Sequence, residues 1–265
     1  MSGALLIVIS IATNVVLLIF GLKVLMPKKV FSYSPNYIFS LIKKYRAPVI
    51  ALVGALLFQL VEVLLLDDVA TEWINGMMGE DYFTRMIYSI EGDLVPSLPW
   101  NRPMLYTFCG VYTILYPFLL WFMPVYFILD DSSSIALFMY PTLYLIQLPF
   151  MLFFPVTNVY TYLELDSALE YILPGYEGVY YLVTTVNNCF PSLHVAFPTS
   201  IALVSLGAEN RKLKWFTIAS AVLIAFSTLY LKIHWLLDVV GGIALALFAF
   251  ILLKWMMKSP HKDEK

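Results

Sequence analysis

Apolar residues occur in this chain as long, nearly unbroken runs rather than at amphipathic intervals. They fall at about 4 to 26, 48 to 66, 104 to 129, 134 to 157, 192 to 208, 215 to 233 and 235 to 257. A helix needs roughly 20 apolar residues to cross about 30 Å of hydrocarbon. The pattern therefore predicts an all-α, polytopic bundle of about seven transmembrane helices. No polar segment between the runs is long enough for a soluble domain, so residues 1–265 read as a single membrane domain. The first run begins at Ala4 with no basic residue ahead of it and lacks a small-residue cleavage site before Lys28. It reads as a retained span rather than a signal peptide.

Composition agrees: 61% of residues are hydrophobic, 13% are charged, and the mean hydropathy is +0.81. These values exclude an ordinary soluble domain, and nothing points to nucleic acid. The net charge of -2 is less informative than its distribution. Lys28, Lys29, Lys43, Lys44 and Arg46 follow the first run, Arg211, Lys212 and Lys214 precede the sixth, and Lys258, Lys262 and Lys265 form the tail. Basic loops stay on the cytoplasmic side. Segments 67–103 and 158–191, with eleven acidic residues against only Arg85 and Arg102, are then expected outside. Their acids read as solvated charge, since no ligand-like spacing supports a cation site. Cys109 and Cys189 read as buried thiols, although one bridge is compatible with the topology.

Residues 73–100 mix Trp73, Met77, Met78, Tyr82, Phe83, Met86 and Tyr88 with acids, as a helix lying in the membrane interface does. Six tyrosines between 158 and 190 suit headgroup depth, as anchors or as contacts to a polyol headgroup. Gln59 and Glu62, one helical turn apart, invite a polar path, but the closeness of Glu62 to Asp67 reads as an interfacial position. Gly241 and Gly242 read as a close-packing site between helices.

Only three histidines occur, and the topology puts His194 and His234 on the same side. Ionisable residues at membrane depth are functional candidates by default. Asp238 follows His234 by four residues, so on a helix starting near Ile233 they share a face. The carboxylate then holds one imidazole nitrogen and leaves the other free to attack. Before His194 the chain reads Asn187-Asn188-Cys189-Phe190-Pro191-Ser192-Leu193. Pro191 suits the start of a helix whose free N–H groups, with the Ser192 hydroxyl, form an anion site.

Pro191-Ser192-Leu193-His194, followed by Ser227-Thr228-Leu229-Tyr230-Leu231-Lys232-Ile233-His234-Trp235-Leu236-Leu237-Asp238, resembles the type-2 phosphatidic acid phosphatase superfamily. It is closest to the inositol phosphorylceramide synthase branch, which has Phe-Pro-Ser-Leu-His and a Ser-Thr-x-Tyr-Leu stretch before its second histidine. The resemblance covers roughly residues 100 to 250. It implies a six-helix core within about 48–257, to which 1–47 add a span and a cytoplasmic loop. It also implies a two-step, in-line mechanism without a cofactor. His234 is then the nucleophile that forms a phosphohistidine, Asp238 orients it, and His194 protonates the leaving oxygen and later deprotonates the acceptor.

Two departures bear on the substrate. The superfamily's lipid phosphatases carry Lys-x6-Arg-Pro in their first motif and an arginine after the serine of the third. Here residues 154 to 159 lack an arginine and Thr228 replaces the other. Charge-assisted hydrogen bonds contribute about 1.5 to 3 kcal/mol each, so their loss disfavours a dianionic monoester more than a singly charged diester. Lys232 is the nearest substitute cation, and Ser192, Ser227, Thr228, Asn158 and Tyr230 complete the expected substrate contacts. Arg102-Pro103 lacks the family spacing, since Val95 stands where the lysine belongs.

The expectation is a multi-pass lipid phosphotransferase with its active site on the non-cytoplasmic face, in the cell membrane if the source is prokaryotic. Its partners would be membrane lipids and an alcohol acceptor or water, with no obligate protein partner. A lipid phosphate or polyprenyl diphosphate phosphatase shares the motifs. A secondary transporter fits the hydropathy but not the motif order, and no repeat supports it. A metal triad of His194, His234 and Asp238 leaves Pro191 and Ser192 unexplained, so no metal is expected.

Overall fold

Inside hydrocarbon a backbone must satisfy its own hydrogen bonds, which turns uninterrupted apolar runs into helices. The computed structural model describes residues 3–26, 28–182 and 184–258; the tail residues Lys262 and Lys265 lie outside them. Its helices are α1 (Gly3–Leu25), α2 (Pro35–Lys44), α3 (Arg46–Leu65), α4 (Asp67–Met78), α5 (Tyr82–Glu91), α6 (Arg102–Gly110), α7 (Tyr116–Asp130), α8 (Ser134–Phe153), α9 (Val159–Tyr162), α10 (Ala168–Ile172), α11 (Tyr176–Tyr180), α12 (Leu193–Ser205), α13 (Arg211–Tyr230) and α14 (Leu236–Met256). A π-helical turn, Val111–Leu115, joins α6 and α7 into one rod.

Among the described residues, six helical stretches are long and apolar enough to span a membrane: most of α1, α3, the α6–α7 rod, α8, α13 and α14. The fifth expected span, 192 to 208, differs. α12 has only 13 residues and measures about 20 Å, short of a full crossing. Its N-terminus is held inside the bundle: Ser192 is fully buried, and the Gln147 side chain of α8 donates to the Pro191 carbonyl at 2.7 Å. Around the bundle, Ile50, Leu57, Leu64, Ile251 and Trp255 are exposed, as lipid-facing side chains are.

α12 packs against α8, α13 and α14, while α3 lies on α8 and α1 on α7. The α12–α14 contact depends on glycine. A Cβ on Gly242 would come within 2.5 Å of the Ser192 carbonyl, and one on Gly241 within 2.8 Å of the Phe190 ring. The glycine pair thus serves the expected close packing.

The two ends of the bundle have different chemistry. At one, Lys29 pairs with Asp130 at 3.2 Å and Lys44 with Asp131 at 2.6 Å, and the Asn210 amide donates to the Leu25 carbonyl. The basic loops after α1 and before α13 therefore share an end. At the other, α4 and α5 lie between α3 and α6, and the return from α8 pairs with the segment before α12. Val156 N–H donates to Asn187, Asn158 N–H to Val186, and Cys189 N–H to Val156.

Glu62 is wholly buried, because α8 packs beside α3 and α4 turns back over its end. Two local expectations are corrected here. Pro191 precedes the N-cap Ser192 instead of opening the helix. α14 begins at Leu236, after both Ile233 and His234.

Candidate active site

His234 sits in the short turn between α13 and α14, one residue before the N-cap Trp235. Asp238, at the third position of α14, accepts the Trp235 backbone N–H at 2.8 Å and approaches His234 Nδ1 at 3.3 Å through the same oxygen, Oδ2. The expected pairing therefore arises from a helix cap rather than a shared helix face. The arrangement is stiff: the carboxylate cannot leave without stranding the N–H of the N-cap residue that it accepts. Glu91, at the end of α5, adds to it by accepting the N–H groups of Leu236 and Leu237. Burial, the largest effect, raises the Glu91 carboxyl above its ordinary value, and these two donors oppose it.

His194, the second residue of α12, turns Nδ1 toward His234 Nε2 at 3.3 Å. Its Nε2 meets the Tyr112 hydroxyl at 2.9 Å, and Tyr112 in turn bonds Tyr180 at 3.0 Å. Asp238, His234, His194, Tyr112 and Tyr180 thus form one hydrogen-bonded row from the base of α14 to α11. Burial lowers the affinity of His234 for a proton, which favours the neutral imidazole. Tyr112 and Tyr116 flank the His194 ring with centroids 4.9 and 4.7 Å away.

The row borders a cavity of about 390 Å³ between α3, α7, α8 and α12. Leu56, Leu60, Leu120, Trp121 and Met151 give it an apolar flank, while Gln147, Asn188, Thr184 and His194 line it with polar groups. Among the described residues, no lysine or arginine lines it.

The other expected contacts are placed variously. The Ser192 hydroxyl is fully buried without a hydrogen-bond partner among the described residues, and its backbone N–H donates to the Asp238 carbonyl at 3.1 Å. Ser227 and Thr228 are buried and bond carbonyls one turn back, those of Ile224 and Ala225. The Thr228 carbonyl accepts the N–H groups of Ile233 and His234, which shapes the turn before α14. Asn158 caps α9 by accepting the Thr161 N–H. Tyr230 accepts from Asn101 N–H and donates to the Pro99 carbonyl. Lys232 lies 4.8 Å from the Trp100 ring centroid, and burial lowers its ammonium pKa. Arg102 is exposed at the start of α6.

Tyr112, Glu91 and Gln147 were missed in the sequence, and Tyr180 was marked only as one of six tyrosines at headgroup depth. Gln147 carried a usable signal as an amide in mid-span, whereas Tyr112 is indistinguishable from its aromatic neighbours. One further grouping has metal-like chemistry: Cys189, His234 and Asp238 each offer a donor atom within 4.8 Å of the others. The fit is poor. The thiol donates to the Val186 and Ile233 carbonyls, and burial drives it well above the ordinary thiol range, away from the thiolate a metal binds.

Residues 155–261 match the sequence profile described as the PAP2 superfamily, whose members act as phosphatases or phosphotransferases on phosphate esters. The matched stretch includes Ser192, His194, His234 and Asp238. No curated protein and no solved structure matches the chain.

Proposed function

We propose that this chain is a lipid phosphotransferase of the inositol phosphorylceramide synthase type, moving a phospho-headgroup from a phospholipid to an alcohol. The observation that carries this reading is the Asp238–His234–His194 row, with successive separations of 3.3 Å, beside a cavity on a lipid-facing bundle.

The phosphodiester binds with its phosphorus between the two imidazoles, which part to admit it. His234 Nε2 forms a bond to phosphorus as the bond to the leaving alcohol oxygen breaks. That oxygen takes a proton from the His194 imidazolium. Asp238 holds Nδ1 and stabilises the positive charge on the phosphohistidine. The acceptor alcohol then enters, gives its proton to His194, and attacks phosphorus while the N–P bond breaks. Both histidines return to their starting states. Ser192 offers its unpartnered hydroxyl to a phosphate oxygen, and Lys232 reaches the site only by leaving Trp100.

The absence of lysine and arginine from the cavity lining among the described residues, and Thr228 in place of the family arginine, support a diester over a monoester. The apolar flank favours a lipid alcohol over water. The distribution of lysine and arginine supports an active site on the non-cytoplasmic face of a cell membrane, with α3 to α14 as the catalytic core and α1 as an addition.

The test is a side-by-side rate measurement on the purified protein. A phosphodiester lipid with a polar or lipid alcohol is expected to yield the exchanged lipid, and a lipid monophosphate is expected to turn over poorly. Fast, acceptor-independent release of inorganic phosphate from the monoester would overturn the transferase reading in favour of a lipid phosphatase. Transport without ester turnover would sink both.

A further inference from the structure

Glu62 near the end of α3 and Asp67 at the start of α4 stand on either side of the break at Leu66. Both side chains are fully buried. Among the described residues neither forms a salt bridge, and all four of their carboxylate oxygens lack a hydrogen-bond partner. Two uncompensated carboxylates in one enclosed place are unfavourable unless something positive joins them or protons neutralise them.

The residues around the pair point to the former. Asn188 lies beside both carboxylates, and Thr185 lies beside Asp67. Among the described residues, the Thr185 hydroxyl and both amide atoms of Asn188 are buried and unpartnered. The Tyr144 hydroxyl of α8 is near Glu62, and this fully buried side chain also has no partner. Thus Glu62 and Asp67 supply four oxygens, and Thr185, Asn188 and Tyr144 one each, from four separate parts of the chain.

From this cluster we infer a calcium site, with Glu62 and Asp67 as its charged ligands and the side-chain oxygens of Asn188, Thr185 and Tyr144 around them. Two carboxylates balance a divalent cation. An all-oxygen set of this number suits calcium, which takes six to eight oxygen ligands in flexible geometry, whereas magnesium demands an octahedron and retains several waters. The enclosure argues against a sugar or polyol, because the neighbouring cavity touches Asn188 but neither carboxylate. The ion ties the α3–α4 corner to the segment that leads through Cys189 and Pro191 to His194, so it braces that segment without touching the phosphate. The inference is independent of the transferase reading.

The experiment uses the full chain purified in detergent and stripped with a chelator. Equilibrium binding of radioactive calcium is measured alongside thermal unfolding with and without millimolar calcium or magnesium. One saturable calcium per chain is expected, with a raised unfolding temperature and a smaller effect of magnesium. Glu62→Gln and Asp67→Asn are expected to abolish saturable binding. Should either fail to fold, Thr185→Val and Asn188→Ala are expected to weaken it, while Asp131→Asn at the opposite end leaves it unchanged. Absence of saturable calcium binding to the unmodified protein, or its retention in folded Glu62→Gln, overturns the site. Equal binding of magnesium overturns the choice of calcium.

Discussion

The backbone N–H of Ser192 donates to the carbonyl of Asp238 at 3.1 Å, joining the start of α12 directly to the first turn of α14. This bond holds His194 and His234 in register, and the neighbouring glycines make it sterically feasible. Gly242→Ala would place a Cβ 2.5 Å from the Ser192 carbonyl. Relieving that clash requires the helices to part, since the opposing atom is backbone. The expected loss is about 1 to 3 kcal/mol of stability and most of the activity, read from thermal unfolding and initial rates.

His194→Ala and His234→Ala each remove the reacting imidazole together with some buried packing, and each is expected to abolish turnover in a protein that still inserts and elutes normally. Asp238→Asn is expected to retain more activity than His234→Ala, because it weakens orientation and leaves the nucleophile. Near-normal rates in either well-folded histidine variant would remove that residue from the mechanism.

Tyr112 bonds His194 Nε2 at 2.9 Å. Tyr112→Phe keeps the ring packing and deletes a hydrogen bond of about 0.5 to 1.5 kcal/mol. A fall in kcat of roughly two- to tenfold is expected, with little change in unfolding temperature. An unchanged kcat would show that the hydroxyl plays no part in positioning the imidazole.

Glu91 caps the helix that carries Asp238. Glu91→Ala is expected to cost about 1 kcal/mol of stability and to lower kcat more than it raises KM. Glu91→Gln keeps one acceptor oxygen and is expected to recover part of both losses. A stability loss with unchanged kcat would confine Glu91 to a scaffolding role.

Orientation in the membrane is tested by labelling single introduced cysteines in a background lacking Cys109 and Cys189. Positions in 67–103 and 158–190 are expected to react from outside, and those in 209–214 from inside. Inside labelling at 158–190 would invert the placement of the active site.

Helix identity was legible in the sequence because hydropathy acts locally: a run such as 134 to 157 has no alternative in lipid, and α8 forms at Ser134–Phe153. The candidate chemistry was legible too, since two of only three histidines fell on one predicted side with an aspartate four residues from one of them. The Asp238–His234 contact was expected for a partly wrong reason. Spacing suggested a helix face, and the structure makes the contact through a cap.

The amino-acid sequence by itself determined a bundle of apolar helices, its charge asymmetry, and the residue types that meet at His194 and His234. These follow from transfer free energies and short-range spacing, which act on each segment separately. Only the tertiary structure decided that α12 is short and sunken, that Tyr112 bonds His194 and Glu91 caps the helix after His234, and that Glu62 lies near Asp67 and Asn188 without a hydrogen-bond partner among the described residues. Such features depend on close approach between segments far apart in the chain. There, burial and the geometry of hydrogen bonds set the outcome, and neither has a signature within a single helix.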